Sequence, residues 1–248
     1  MVEKITIEDR VKNYWDQRVE DFSKVRTNEL NSDLSNRWIS EITKHIPNLN
    51  SLNILDVGTG TGYFPIILSN NNNKIYGIDI SPAMIEKAKL MASSRNLKIE
   101  FMEMDAQKLT FNNNTFDLII SRNLTWTLPK LTEAYKEWLR VLKPGGIILI
   151  FDANYCEQVK LGSKQNPNAN ENSPYGHAGL TEKMLKENEE LTLIMPASKV
   201  KRPMWDEEIF YELGASKVEY DLELGKRVLK ELDLVEAPMF MIKVITKD

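Results

Sequence analysis

This 248-residue sequence predicts an α/β fold built on a doubly wound, mostly parallel sheet. Three observations carry the prediction. Short, mainly apolar runs alternate with helix-like segments from residue 53 to residue 152, as in strands covered on both faces. A glycine turn, Gly58-Thr-Gly-Thr-Gly62, follows the first run directly and opens a helix. The second run ends in a carboxylate, Asp79. Turn and carboxylate together outline a nucleotide pocket at the carboxyl ends of parallel strands.

Residues 7–45 read as helical, because Val11, Tyr14, Trp15, Val19 and Phe22 recur at spacings of three and four. Residues 1–48 form a helical cap in this reading, ahead of a main domain at 49–248. Asn53 to Val57 is the first strand, and the helix from Gly62 to Ser69 carries Pro65 in its first turn, where a missing N–H does no harm. Lys74 to Asp79 is the second strand. Ser81-Pro82 supplies a cap and an N1 proline for a helix that runs to Arg95. Lys98 to Met102 and Phe116 to Ser121 follow as strands. Leu131 to Leu142 is a helix stopped by Lys143-Pro-Gly-Gly146, and Ile147 to Asp152 is the fifth strand. The alternation then breaks. Residues 153–203 are punctuated by Gln165-Asn-Pro-Asn-Ala-Asn-Glu-Asn-Ser-Pro and read as a loop-rich, lid-like insertion over the cofactor edge. Trp205 to Leu213 returns to helix, Lys217 to Asp221 to strand, and Phe240 to Thr246 is the last strand.

Composition excludes several classes. A formal charge of -4 gives no general attraction to nucleic acid or anionic lipid, so nucleic acid is not an expected partner. The single cysteine, Cys156, forbids an internal disulfide and suits a reducing, cytoplasmic setting. Two isolated histidines give no metal-ligand spacing, and no metal is expected. No apolar run approaches the roughly 18 residues of a membrane span. The oligomeric state stays open between monomer and homodimer.

Each glycine of the turn has a physical reason. Gly58 ends the strand where a side chain would obstruct the turn, Gly60 lets a ligand approach the backbone, and Gly62 lets the helix start lie close. Asp79 is positioned to accept both hydroxyls of a ribose, or to cap the helix that follows. Asp56 separates the cofactors. A carboxylate directly ahead of the turn repels a pyrophosphate but suits a ligand with no phosphate and a positive centre. The third glycine also comes one residue early for Gly-x-Gly-x-x-Gly. Both features disfavour the alternative of an NAD-dependent oxidoreductase.

These residues resemble the class I S-adenosylmethionine-dependent methyltransferases. Asp56-Val-Gly-Thr-Gly-Thr-Gly62 is similar to that family's first motif, Ile78-Asp-Ile-Ser81 to its ribose motif, and Met104-Asp-Ala106 to its adenine-edge motif. Phe116-Asp-Leu-Ile-Ile-Ser121 is similar to its fourth strand and Arg140-Val-Leu-Lys-Pro-Gly-Gly146 to the lead into its fifth. The resemblance spans residues 50–152. It implies a Rossmann-like sheet of seven strands whose last, Phe240 to Thr246, is antiparallel and inserted beside Lys217 to Asp221. It implies S-adenosyl-L-methionine as cofactor, with Gly58, Thr59, Gly60 and Gly62 around the methionine and ribose moieties. Asp56 would lie near the amino end, Asp79 on the ribose, Ile80 against adenine, and Asp105 and Ala106 on the adenine edge. Ser121, Arg122 and Asn123 would sit under the ligand. Tyr14 and Arg18, one turn apart, would close over the methionine end. Arg122 can pair with the cofactor carboxylate, with Asp56, with a substrate anion, or with a purely structural partner.

Methyl transfer from a sulfonium needs alignment and a dry channel, and needs a base only if the acceptor must lose a proton. The catalytic residue is therefore not specified; Tyr14, Trp126 and His177 are the candidates. The Asn-Pro-Pro-Tyr segment of adenine and glutamine methylation is absent, its place held by Ser121-Arg-Asn-Leu-Thr-Trp126. Cys156 lies in Asn-Tyr-Cys-Glu, without the Pro-Cys nucleophile of cytosine methylation, and reads as a partly buried small side chain. Trp138 reads as packing. The expected acceptor is a small or medium-sized organic molecule, with a protein or tRNA methyltransferase as the alternative.

Overall fold

The computed structural model describes residues 5–46, 48–69, 72–162, 180–235 and 237–247. Its centre is a seven-stranded sheet: β1 (Asn53–Val57), β2 (Lys74–Asp79), β3 (Glu100–Glu103), β4 (Phe116–Arg122), β5 (Leu142–Ala153), β6 (Lys217–Asp221) and β7 (Met239–Ile245). The order is β3-β2-β1-β4-β5-β7-β6, and only β7 runs antiparallel to its neighbours. The order reverses between β1 and β4, and a crevice opens there at the strands' carboxyl ends. Seven strands and the antiparallel last strand match the expectation.

Helices cover both faces. On one, α5 (Leu131–Val141) and α8 (Met204–Glu212) bury Tyr135, Trp138 and Phe210 against Phe116, Ile148 and Ile242. On the other, α2 (Leu34–His45), α3 (Tyr63–Leu68) and α9 (Leu224–Val228) pack Trp38, Ile42 and Phe64 on Ile54, Leu118 and Phe151. Trp38 meets Phe64 and Phe151 edge to face, with centroids 5.3 and 5.0 Å apart. Helix α4 (Pro82–Ser93) is capped by the Ser81 hydroxyl, which accepts from the Met84 N–H.

Several boundaries move. The stretch expected to be one helix over 7–45 is two: α1 (Ile7–Leu30), opened by a Thr6/Asp9 capping box, and α2, separated at residues 31–33. The two do different jobs. Helix α1 lies over the crevice, whereas Trp38 and Ile42 sink α2 into the main core, so α2 is no part of a cap. Strand β3 starts two residues later than expected, and Lys143–Gly146 belongs to β5, where the pairing with β4 shifts between Phe116 and Leu118.

The insertion at 153–203 is not merely loop. It holds α6 (Tyr155–Lys160) and α7 (Glu182–Ile194), the latter capped by Thr181 and followed by a 3-10 turn at Pro196–Lys199. Charged residues dominate α7, which hides its helical period; only a narrow face carrying Leu191, together with Met195 just beyond, is buried, against Val11 and Tyr14 of α1. The asparagine-rich segment around residue 170 lies outside the described residues.

Candidate active site

The crevice between β1 and β4 widens into a cavity of about 1140 Å³, counting its open mouth. Its floor is the glycine turn. Gly58, Gly60 and Gly62 all have positive φ, at 70°, 52° and 84°. Gly58 and Gly60 line the cavity; Gly62 does not. A Cβ on Gly62 would sit 2.9 Å from the Phe101 ring and 3.3 Å from Ala88, so this glycine lets α3 pack close to the sheet and touches no ligand space. Thr59 likewise turns inward, its backbone N–H bonded to the Ile78 carbonyl at 2.8 Å.

Asp79 reaches the cavity from the end of β2. Its carboxylate accepts from the Gly60 N–H and the Ser81 N–H, both at 2.9 Å, so it ties the glycine turn to the start of α4 and keeps further lone pairs for a ligand. Burial, only partly offset by those N–H groups, lifts its pKa to about 6. Asp56 lies behind the turn, 3% exposed, and burial with the nearby charge of Asp79 raises it to about 7. Ile80, Asp105 and Ala106 also line the cavity. Asp105 is held in a turn by the Gln107 N–H at 2.8 Å, and Trp138, packed in the core as expected, donates its indole N–H to the Ala106 carbonyl at 2.9 Å.

The cavity is also lined by guanidinium groups. Arg122 bonds Glu29 of α1 through Nη2 at 2.7 and 3.0 Å, and Arg26 bonds the same carboxylate at 2.5 Å. Of the partners open to Arg122, the structure thus supplies a structural one, Glu29. Its ring neighbours are Trp38, Tyr63 and Phe64, with centroids 4.9, 5.1 and 5.8 Å away. Although burial opposes ionisation of Glu29, the two arginines hold its pKa below the usual range; burial and repulsion from Arg122 lower that of Arg26. Among the described residues Arg122 Nε and Nη1 have no acceptor, and its side chain is 6% exposed. Arg18 donates to the Tyr14 hydroxyl at 2.7 Å, and both residues line the cavity.

Asn123 and Trp126 line the cavity beyond β4, with the Trp126 ring 5.2 Å from that of Tyr155. Ser121 does not join them. Its hydroxyl bonds the Val57 carbonyl at 3.0 Å, fully buried between β1 and β4, because alternation along the strand turns it away from the cavity. His177 lies outside the described residues. Arg26, Glu29 and Gln107 were not anticipated. Arg26 continues the four-residue spacing Tyr14, Arg18, Phe22, and that period was the available signal.

Helix α1 roofs the cavity with one stripe and fastens itself with the next. Glu8, Lys12, Asp16 and Glu20, four residues apart, reach Lys130 at 2.8 Å, Glu103 at 2.6 Å, the Ser81 hydroxyl at 2.5 Å and Lys87 at 3.1 Å. Arg10 joins α1 to α7 through Glu187 and Glu190.

A carboxylate-tipped second strand, a glycine turn and a crevice at the sheet's reversal are the features by which doubly wound α/β folds take up nucleosides. Residues 55–150 match the family model described as a methyltransferase domain. Over this segment the chain is similar to methyltransferase domains, the similarity that its motifs led one to expect. The ubiquinone/menaquinone biosynthesis C-methyltransferase UbiE of Rickettsia prowazekii is 34% identical over 137 residues, 52% of this chain and 55% of that protein. The demethylmenaquinone methyltransferase of Lactococcus lactis is 29% identical over 153 residues, 60% of each chain. The chain thus spans little more than half the length of these curated relatives. The crystal structure of a SAM-dependent methyltransferase from Aquifex aeolicus shares the fold, with a TM-score of 0.58 at 20% identity over 90% of this chain and 97% of that one. Among the described residues, no helix is long and apolar enough to cross a membrane.

Proposed function

We propose that the chain transfers the methyl group of S-adenosyl-L-methionine to a small organic acceptor with a planar ring. One observation carries the reading: a single cavity is lined by the carboxylates Asp79 and Asp105, with Asp56 behind its glycine turn, and by the guanidinium groups of Arg18, Arg26 and Arg122. That pairing of charges of both signs suits a nucleoside bearing an amino and a carboxylate group and no pyrophosphate. The residues fit such a ligand. Arg122 Nε and Nη1 are buried donors with no acceptor among the described residues, and the ligand carboxylate would supply one, with Arg18 also lining the cavity. Asp79 would take the ribose hydroxyls, Asp105 and the Ala106 N–H the adenine edge, Ile80 the adenine face, and Asp56 the amino group.

The bound cofactor supplies a methyl group already activated on a sulfonium. The chain's own contribution is then alignment and exclusion of water, for which α1 forms the roof and Trp126 with Tyr155, their rings inclined at 60° to each other, an aromatic wall. The ring acceptor rests on that wall and on the quinone chemistry in the relatives' names. Tyr14, which lines the cavity beside Arg18, has its pKa raised by burial, which favours a neutral hydroxyl that donates hydrogen bonds over a base.

Calorimetry with S-adenosylhomocysteine and NAD tests the cofactor: micromolar binding of the first and none of the second is expected, and the reverse overturns the reading. Transfer of labelled methyl to reduced demethylmenaquinone then tests the acceptor. Binding of S-adenosylhomocysteine without that transfer would overturn the ring acceptor alone.

A further inference from the structure

Behind the Trp126 wall lies a buried charge cluster to which the cofactor site gives no role. Asp152, at the carboxyl end of β5, is fully buried. It accepts from the Thr125 hydroxyl and from the Trp126 backbone N–H at 3.2 Å. Arg202 lies on its other side, with Nη1 3.6 Å away. The same guanidinium donates to the Thr125 hydroxyl at 2.7 Å and to both carboxylate oxygens of Asp206, and Tyr135 donates its hydroxyl to Asp206. Thr125 is thus both donor and acceptor, locked between a carboxylate and a guanidinium.

Burying three ions in a core costs more than an apolar replacement of the same shape, so stability alone is a poor account of the cluster. Its geometry has another consequence. The turn after β4 is free of sheet pairing, yet it carries Asn123 and Trp126 into the cavity. The Asn123 N–H is held by the Phe151 carbonyl at 2.8 Å, and the Trp126 indole N–H by the Asn123 carbonyl at 3.0 Å. A second anchor on β5 is Asp152, one residue beyond Phe151 on the same strand. Two adjacent β5 residues therefore clamp both ends of the turn.

We propose that Asp152, backed by Arg202, is a positioning residue for methyl transfer, which fixes the Thr125–Trp126 turn and so the aromatic wall against which the acceptor is aligned. It touches neither cofactor nor acceptor; it acts through Trp126. The proposal rests on the methyltransferase reading only for the use to which the wall is put.

The test follows Trp126 directly. The protein's five tryptophans are labelled with 5-fluorotryptophan, and the Trp126 fluorine resonance is assigned with Trp126→Phe. In the wild type it should be a single line that moves on adding S-adenosylhomocysteine. In Asp152→Asn it should broaden or split while the lines of Trp38 and Trp138 stay in place. S-adenosylhomocysteine affinity should change by no more than about twofold, because Asp152 itself does not line the cavity and the Asn123 N–H keeps its bond to Phe151. Thr125→Val, which leaves every charge in place, should reproduce the Trp126 signature, and Thr125→Ser should restore the single line. If Asp152→Asn does not fold, the Thr125 pair decides. A Trp126 line unaltered in both variants, or one that changes only together with those of Trp38 and Trp138, overturns the proposal. Failure of S-adenosylhomocysteine to bind the wild type would instead overturn the cofactor reading, because the spectra of the free protein still report the clamp.

Discussion

Replacing Asp56 with Asn should make the free protein more stable and the cofactor bind less well. In the native fold this carboxyl is 3% exposed, and burial with the adjacent charge of Asp79 raises its pKa from 3.8 to about 7. A raised carboxyl pKa means that the native state holds its proton after the unfolded chain has lost it. Stability is therefore lost as pH rises from about 4 to about 7, and is level above that on account of this group. At about 1.36 kcal/mol per pH unit, the whole displacement is on the order of 4 kcal/mol. Asn carries no charge to bury. Urea unfolding of the two proteins at pH 5, 6, 7 and 8, with equal m-values, should show the variant's advantage growing by roughly 1 kcal/mol per unit up to pH 7. Binding should show the opposite preference. If the ionised carboxylate meets the ligand amino group, S-adenosylhomocysteine should bind the wild type more tightly as pH rises to about 7, with release of up to one proton, and the variant should lose both effects. Parallel stability profiles in wild type and variant would refute the burial argument, and unchanged proton release in the variant would refute the contact.

Asp79→Ala removes a carboxylate that ties Gly60 to Ser81 and faces the cavity; S-adenosylhomocysteine affinity by calorimetry should fall at least about tenfold, each charge-assisted bond being worth about 1.5–3 kcal/mol. Gly62→Ala should act in the opposite register. With φ at 84° and Phe101 2.9 Å from the new methyl, it should destabilise the fold by about 1–3 kcal/mol in urea unfolding, while the surviving folded protein binds S-adenosylhomocysteine as before.

What could be read from the sequence was what neighbours in the chain determine. Runs such as Ile54-Leu-Asp-Val57 and Phe116-Asp-Leu-Ile-Ile120 are apolar enough to name central strands, and Gly58 and Gly60 carry their backbone requirement in their identity. Strand β3 was displaced because an edge strand of four residues, two of them glutamates, leaves little apolar signal. Helix α7 was missed because only a narrow face of it is buried, between α1 and the cluster behind Trp126. The errors within the site have one physical source: being next to a motif does not fix the direction of a side chain. Ser121 and Arg122 are consecutive, yet the first bonds Val57 between strands and the second reaches Glu29 at the cavity. Pairings such as Arg122 with Glu29, or Asp152 with Arg202, join residues 93 and 50 positions apart and leave no trace in local pattern.

The two stripes of α1 impose a constraint of phase on its evolution. Its roof residues and its fastening residues both recur every fourth position, on neighbouring strips of one rigid cylinder. A single inserted residue would turn all that follows by about 100°. Either the fastening side chains would then point at the ligand space, or the Arg26 and Glu29 end would leave Arg122. Point changes on the solvent side, at Asn13, Gln17 or Lys24, disturb neither stripe. Descendants of this sequence can therefore diverge freely in the letters of that outer face, while the length of α1 between Glu8 and Glu29 is held constant by geometry.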